Sequence, residues 1–266
     1  MKKLGLALSG GGARGMVHIG VIQALIESGI KVDVISGTSA GSIVGSLYAA
    51  GYSPDEILTF VTEQNLIRIF GLRLPRKGFV RHAFLRKQLT RYLPGNSFDG
   101  LKIPFSVTVA NLNTGLAESY ATGPLIDLVV ASSSIPVLFE PIRIGNETYV
   151  DGGLLMNLPA SPIRNSCDVL VGVNLVPRIS VPDSDLSSVF GIGARCFDLA
   201  ALNNIRPELA LCDVVLEPEE ISRFSRFSIS NIEQMYTIGH RAALAQVDRI
   251  REALDPESKG RAGQVN

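Results

Sequence analysis

Cysteine, histidine and net charge are all scarce in this sequence, and each scarcity narrows what the chain can do. Three cysteines, Cys167, Cys196 and Cys212, cannot complete a disulfide framework. None falls in a C-x-x-C pair or a Cys/His cluster with zinc-ligand spacing, so no metal site is expected and a reducing, cytoplasmic compartment fits best. Each lies among apolar neighbours and reads as a core residue. The 25 basic residues balance the 25 acidic ones, leaving no global field to attract nucleic acid. No apolar run approaches the length of a bilayer span. The N-terminal Lys2-Lys3 followed by Leu4 to Leu8 resembles the start of a signal peptide. The run stops at Ser9-Gly10-Gly11-Gly12, too short for an h-region, and reads as a buried first strand. Repeats, long linkers and low-complexity tracts are absent.

What is present suits one large α/β domain. The 266 residues are 46% apolar and 19% charged, ample for a buried core, and 26 glycines imply many tight turns. Residues 4–254 are expected to form this domain, and the polar tail 255–266 to be disordered.

The organising stretch is Gly37-Thr38-Ser39-Ala40-Gly41, a G-x-S-x-G pattern. Val32 to Ile35 reads as a strand before it and Ser42 to Ala50 as a helix after it, with Gly51 as the helix C′ residue. That context is the one a nucleophile elbow requires. The serine sits on a strained strand-to-helix turn, where only small neighbours such as Gly37 and Gly41 fit. Upstream, Leu4 to Leu8 is a strand, and Ser9-Gly10-Gly11-Gly12-Ala13-Arg14-Gly15 opens a helix running to about Ser28. This βαβ unit puts the glycine loop and Ser39 on the same edge of a parallel sheet, roughly 5–10 Å apart if the strands are neighbours. The loop also matches the dinucleotide pattern G-x-G-x-x-G. That reading expects an acid at the end of the second strand, whereas the strand ends in Ile35-Ser36 and the only local acid, Asp33, lies near its start. The same backbone can instead serve as an oxyanion hole, with the N–H groups of Gly10, Gly11 and Gly12 facing a carbonyl beside Ser39.

Between Gln64 and Phe98 there is no acid but there are eight bases: Arg68, Arg73, Arg76, Lys77, Arg81, Arg86, Lys87 and Arg91. Leu74 to Gly78 reads as a loop and Ala83 to Leu93 as an amphipathic helix. The stretch is either a solvated face or, over residues 68–91, a collar meeting an anionic membrane surface. Pro104 to Ala110 and Thr114 to Ala121 read as strands, Leu125 to Ser132 as a helix, and Arg143 to Val150 as a hairpin turning at Gly145-Asn146. Val169 to Val176 is a central parallel strand, Asp213 to Glu220 a strand ending in an acidic loop, and Leu186 to Asn204 and Ile232 to Leu254 are helices.

A nucleophilic serine needs a base. His18 falls inside the first helix, His82 in the basic stretch and His240 in the last helix, and none occupies a strand-end loop. Asp151 does: it follows a strand and is flanked by Gly152 and Gly153, and in a dry site its proton affinity rises.

Together, Gly10-Gly11-Gly12-Ala13-Arg14-Gly15, Gly37-Thr38-Ser39-Ala40-Gly41 and Asp151-Gly152-Gly153 resemble, in order and spacing, the three motifs of the patatin-like phospholipases. The similarity continues through Ala131-Ser132-Ser133-Ser134-Ile135-Pro136, Phe139-Glu140-Pro141 and Asn157-Leu158-Pro159, and covers about residues 4 to 176. The resemblance implies a three-layer α/β/α domain with a mainly parallel sheet and a Ser–Asp dyad without catalytic histidine. On it, Ser39 attacks a lipid acyl ester, phospholipid or lysophospholipid, and Asp151 accepts its proton. The Gly10 to Gly12 loop holds the oxyanion, Arg14 steadies that loop, and no cofactor is required. Gly15, Gly37, Gly41, Gly152 and Gly153 leave the space the motifs need. An acyltransferase or thioesterase on the same dyad, or a lipid-binding regulatory protein without turnover, share these residues. The expected location is cytoplasmic, with peripheral contact to a membrane.

Overall fold

The computed structural model describes residues 2–63, 83–176, 178–226 and 231–255. In chain order the elements are β1 (Leu4–Leu8), α1 (Met16–Glu27), β2 (Val34–Thr38), α2 (Ala40–Ala50), α3 (Pro54–Glu63), α4 (Ala83–Tyr92), β3 (Phe105–Asn111), β4 (Ala117–Tyr120) and α5 (Leu125–Ser132). The hairpin β5 (Ile142–Ile144) and β6 (Glu147–Asp151) follows, then β7 (Val169–Val173), α6 (Val189–Leu209), β8 (Val214–Leu216), α7 (Ile232–Leu244) and α8 (Val247–Leu254). The sheet runs β5-β6-β3-β2-β1-β7-β8, with β4 also paired to β3. The block β3-β2-β1-β7-β8 is parallel, while β4, β5 and β6 pair antiparallel.

Strand periodicity splits the core into two faces. On β1, Leu4, Leu6 and Leu8 join the larger cluster with α1 and α2, and Ala7 joins the smaller one with Leu158 and Ile205 of α6. On β7, Val169, Val171 and Val173 face the first cluster and Leu170 the second. The sheet is therefore covered on both sides, the three-layer α/β/α arrangement expected for a mainly parallel sheet. Helix α1 packs closely along α7, so a C-terminal element closes over the first crossover.

Several boundaries differ from the sequence reading. Strand β2 begins at Val34 and runs through Thr38, because Ser36, Gly37 and Thr38 are paired with neighbouring strands. The expected helix from Ile232 to Leu254 is two helices, broken at Ala245-Gln246, and the break brings Val247 and Ile250 into the core. The expected Leu186 helix start is a short 3-10 turn, Asp183–Leu186, and α6 itself extends to Leu209. Helix α3, not among the expected elements, carries its start signal in the chain: Ser53 and Glu56 cap each other, with Ser53 N–H on Glu56 Oε2 at 2.8 Å and Glu56 N–H on Ser53 Oγ at 3.3 Å. Cys196 is exposed on the outer side of α6, not a core residue, whereas the half-buried Cys167 and Cys212 pack under Gly5 and Gly172 of the sheet.

Of the basic stretch, Arg68, Arg73, Arg76, Lys77, Arg81 and His82 lie outside the described residues, as does the tail from 256 on. Within α4, Arg86 is ion-paired with Asp127, and Lys87 and Arg91 are exposed. No helix among the described residues is long and apolar enough to cross a membrane.

Candidate active site

The sheet brings Ser39 and Asp151 together by exchanging one strand for another. Along one edge of β3, β2 pairs as far as Thr38 with Thr108. There β2 leaves the sheet, and the next rung, Val109, pairs with Asp151 of β6. β4 occupies the opposite edge of the same residues. The carboxylate thus takes the lattice position that the strand of Ser39 vacates, although the two lie far apart in sequence.

Ser39 itself has φ 52° and ψ −123°, a left-handed conformation that a non-glycine residue adopts only when its surroundings impose it. Its N–H donates to Ser132 Oγ at 2.9 Å, and Ser132 Oγ donates in turn to the Thr108 carbonyl at 2.7 Å. Ala40 opens α2 directly behind it. Space around the turn is occupied by backbone: a methyl group at Gly41 would lie 2.2 Å from the Leu8 carbonyl oxygen, and one at Gly37 would lie 2.4 Å from that of Gly41. Gly15 meets Ala40 on the other side, where a methyl would stand 2.8 Å from its Cβ.

Asp151 is 1% exposed, against 4% for Ser39. Its N–H donates to the Ser134 carbonyl at 2.9 Å, so the serine turn after α5 braces both residues. Oδ1 accepts from Gly153 N–H at 2.8 Å, while Oδ2 has no donor in good hydrogen-bond geometry among the described residues. Burial pushes the carboxyl up to about 7, against the opposing pull of the adjacent Ser39 hydroxyl, the Gly153 N–H and the Arg226 guanidinium. Gly152 is confined by the Thr108 carbonyl, 2.4 Å from where a methyl would be, and Gly153 by Asn157 Oδ1 at 2.7 Å.

The glycine loop follows β1 at the same edge. Ser9 N–H donates to Val173 O at 3.1 Å, and Gly10 N–H donates to Asn157 O at 3.0 Å. Ala13 N–H donates to Arg226 O at 2.8 Å. Gly11 and Gly12 make no such backbone donation among the described residues, so the loop offers two free N–H groups where sequence reading expected three. Gly10 is instead a close-approach residue: a methyl there would lie 2.5 Å from Asn157 Oδ1 and 3.2 Å from Ser39 Cβ. Gly12 has φ +59°, and a methyl on it would lie 2.5 Å from the Arg226 carbonyl oxygen, a double requirement for glycine.

Arg14 points away from the cavity. Its Nε donates to Phe224 O at 2.9 Å and Nη1 to Leu175 O at 3.4 Å, tying the loop to the segments after β7 and β8. Burial and the neighbouring Arg226 lower its pKa to about 10. His18 is fully buried behind the loop and donates from Nε2 to Ser9 O at 2.8 Å, and burial lowers it to about 4. His240 bonds Glu27 Oε2 at 2.7 Å near the surface. Neither imidazole lines the cavity at Ser39, and His82 lies outside the described residues.

The cavity bounded by Gly10, Gly11, Gly12, Ser39 and Asp151 is only about 10 Å³, room for about one water molecule. Phe197 and Ala201 of α6 close it, together with Ile135, Val176 and Arg226. Arg226 is ion-paired with Asp198, so a partly buried charge pair stands beside the carboxylate. Arg226, Asp198 and Phe197 carried no motif signal; Asn157 did, in the Asn157-Leu158-Pro159 run. No cluster of three or more His, Cys, Asp or Glu among the described residues could hold a metal ion.

A parallel α/β sheet with a buried serine–carboxylate pair under a glycine loop is thus the class that fold and site define. A family model described as patatin-like phospholipase matches residues 6–163, and the chain belongs to that family. An uncharacterised NTE family protein of Mycobacterium tuberculosis is 29% identical over 94% of this chain and 48% of its own length. Lysophospholipase NTE1 of Saccharomyces cerevisiae is 31% identical over 65% of this chain and 11% of its own. The chain therefore spans about half the length of the mycobacterial relative and a small part of the yeast one. Among solved structures, VipD from Legionella pneumophila has the same fold, with a TM-score of 0.52 at 17% identity over 94% of this chain and 67% of that chain.

Proposed function

We propose that the chain is a serine acyl-hydrolase that cleaves lipid acyl esters, phospholipid or lysophospholipid, through an acyl-serine intermediate. Asp151 takes the proton of Ser39 Oγ as that oxygen attacks the ester carbonyl carbon. The carbonyl electron pair moves onto its oxygen, where the N–H groups of Gly11 and Gly12 receive it. A donor of this kind contributes on the order of 3 kcal/mol. Collapse breaks the ester C–O bond, and Asp151 returns the proton to the departing alcohol. Water then repeats the sequence on the acyl-serine, giving the free acid and the original hydroxyl. Gly10, its N–H engaged by Asn157, leaves room for the substrate rather than donating to it.

The single observation that carries this reading is Asp151, fully buried beside Ser39 and pushed up to about 7. A carboxylate at its ordinary value would be a poor base for a hydroxyl; near neutrality it is matched to the task. Family membership and the lysophospholipase name of the yeast relative support the lipid substrate. The cavity of about 10 Å³ cannot hold an acyl chain, so Phe197 and Ala201 of α6 must shift when substrate binds. Exposed Lys87 and Arg91 are the described part of the basic stretch available to anionic head groups.

Initial rates on a lysophospholipid and on a 4-nitrophenyl acyl ester test the proposal. Ser39→Ala and Asp151→Asn should each lower kcat at least about a thousandfold with the fold retained. Wild-type rates in either variant would refute the dyad.

A further inference from the structure

Beyond the serine, a second pocket of about 460 Å³ lies past the carboxyl ends of β7 and β8, under the C-terminal half of α6. Its volume falls within the roughly 300–1,000 Å³ typical of small-ligand sites. It adjoins the serine cavity: Val176 lines both. One ridge of α6, residues Phe197, Ala201, Ile205 and Leu209 at four-residue steps, runs from one to the other. Phe197 and Ala201 cover Ser39, while Ile205 and Leu209 wall the pocket, so a single helical turn of roughly 6 Å separates them.

The charges in this pocket are unusual for a surface groove. Arg178 and Arg206 both line it and are exposed, and the guanidinium of neither has a hydrogen-bond or ion-pair partner among the described residues. Two acids line it as well. Glu217 accepts from Asn174 Nδ2 at 2.7 Å, and Glu219 has no side-chain partner among the described residues. Two free guanidinium groups suit the oxygens of a phosphate diester, which Arg recognises in planar, paired fashion. A purely anionic ligand would have to approach two carboxylates. A ligand that carries a phosphate and an ammonium a few atoms apart satisfies both signs, and the carboxylates discriminate against an anion.

We infer that this pocket receives the zwitterionic phospho-ammonium head group of the lipid whose acyl ester lies at Ser39. Arg178 and Arg206 hold the phosphate, and Glu219, with Glu217, faces the ammonium. The inference rests on the acyl-hydrolase reading for its substrate but not for its test, because head-group binding is measured without turnover.

The experiment titrates Ser39→Ala protein calorimetrically with three acyl-free probes: glycerophosphoethanolamine, glycerophosphoglycerol and inorganic phosphate. Saturable binding of the first is expected, at least about tenfold tighter than the other two. Arg178→Gln/Arg206→Gln should weaken it by about tenfold or more, and Glu219→Gln should bring glycerophosphoethanolamine and glycerophosphoglycerol to parity. These three side chains are exposed, so the variants should melt as the parent does. No binding of glycerophosphoethanolamine, equal binding of all three probes, or indifference to the arginine substitutions would overturn the assignment. Failure of the serine reading would appear elsewhere, as ester hydrolysis that survives Ser39→Ala.

Discussion

Replacing Asp151 by Asn should stabilise the protein, and by an amount that depends on pH with a fixed sign. The carboxyl is 1% exposed, and burial raises it from 3.8 to about 7. A carboxyl raised in the native state keeps its proton there after the unfolded chain has released its own. Its favourable share of stability is complete below about pH 4 and is lost as pH rises through about 7. Each pH unit in that window removes about 1.4 kcal/mol, close to 4 kcal/mol in all. Asparagine has nothing to ionise. The stability of Asp151→Asn minus that of wild type should therefore grow by about 2.5 kcal/mol between pH 5 and pH 8, and level off above. Urea unfolding of both proteins across that range reads the difference directly, and any other titrating group cancels in it. A difference that stays flat, or that shrinks as pH rises, would show that burial does not raise the proton affinity of Asp151 and would remove the physical basis for its proposed role as base.

Other consequences follow from the groups around it. Arg226→Gln takes away the positive charge facing Asp151, so the pKa of that carboxyl should rise further; the acid limb of kcat/KM on a 4-nitrophenyl ester should move about one unit to higher pH, and an unmoved limb would rule out the coupling. The same change leaves Asp198 with only Arg195 and Arg14 as neighbouring cations and should lower stability, read as a lowered urea midpoint. His18 behaves in the opposite sense to Asp151: burial lowers it from 6.5 to about 4, so its stabilising neutral form is fully in place above 6.5 and lost as pH falls toward 4. Wild type should lose about 2.5 kcal/mol relative to His18→Gln between pH 7 and 4.5, and equal slopes would contradict a buried neutral imidazole.

The motifs that could be read in the sequence are those whose chemistry is local. Gly37 and Gly41 are fixed by contacts within a few residues of a turn or by the strand beside it, so a short pattern announces them. The same holds for β1, α1, α5 and the hairpin at Gly145-Asn146, where periodicity and turn residues agree. What the sequence did not disclose depends on long-range pairing. The extension of β2 to Thr38 comes from its two neighbours, not from its own composition, which is polar at Ser36 and Thr38. The free N–H count of the glycine loop is set by Asn157 and Arg226, which arrive from distant segments. The closing of the cavity by Phe197, and the Arg226–Asp198 pair beside Asp151, involve residues after position 176, where no motif guides the eye. The break between α7 and α8 lacks a Gly or Pro marker and follows from the need to bury Val247 and Ile250.

The central claim is that Ser39 is an activated nucleophile, and the most direct measurement is covalent labelling of the purified chain with a fluorophosphonate, the adduct being located by mass spectrometry and Ser39→Ala serving as control. A single adduct on Ser39, absent from the control and diminished in Asp151→Asn, is the expected result. No adduct on a folded protein presented with detergent micelles, or an adduct on another residue that persists in Ser39→Ala, would contradict the account.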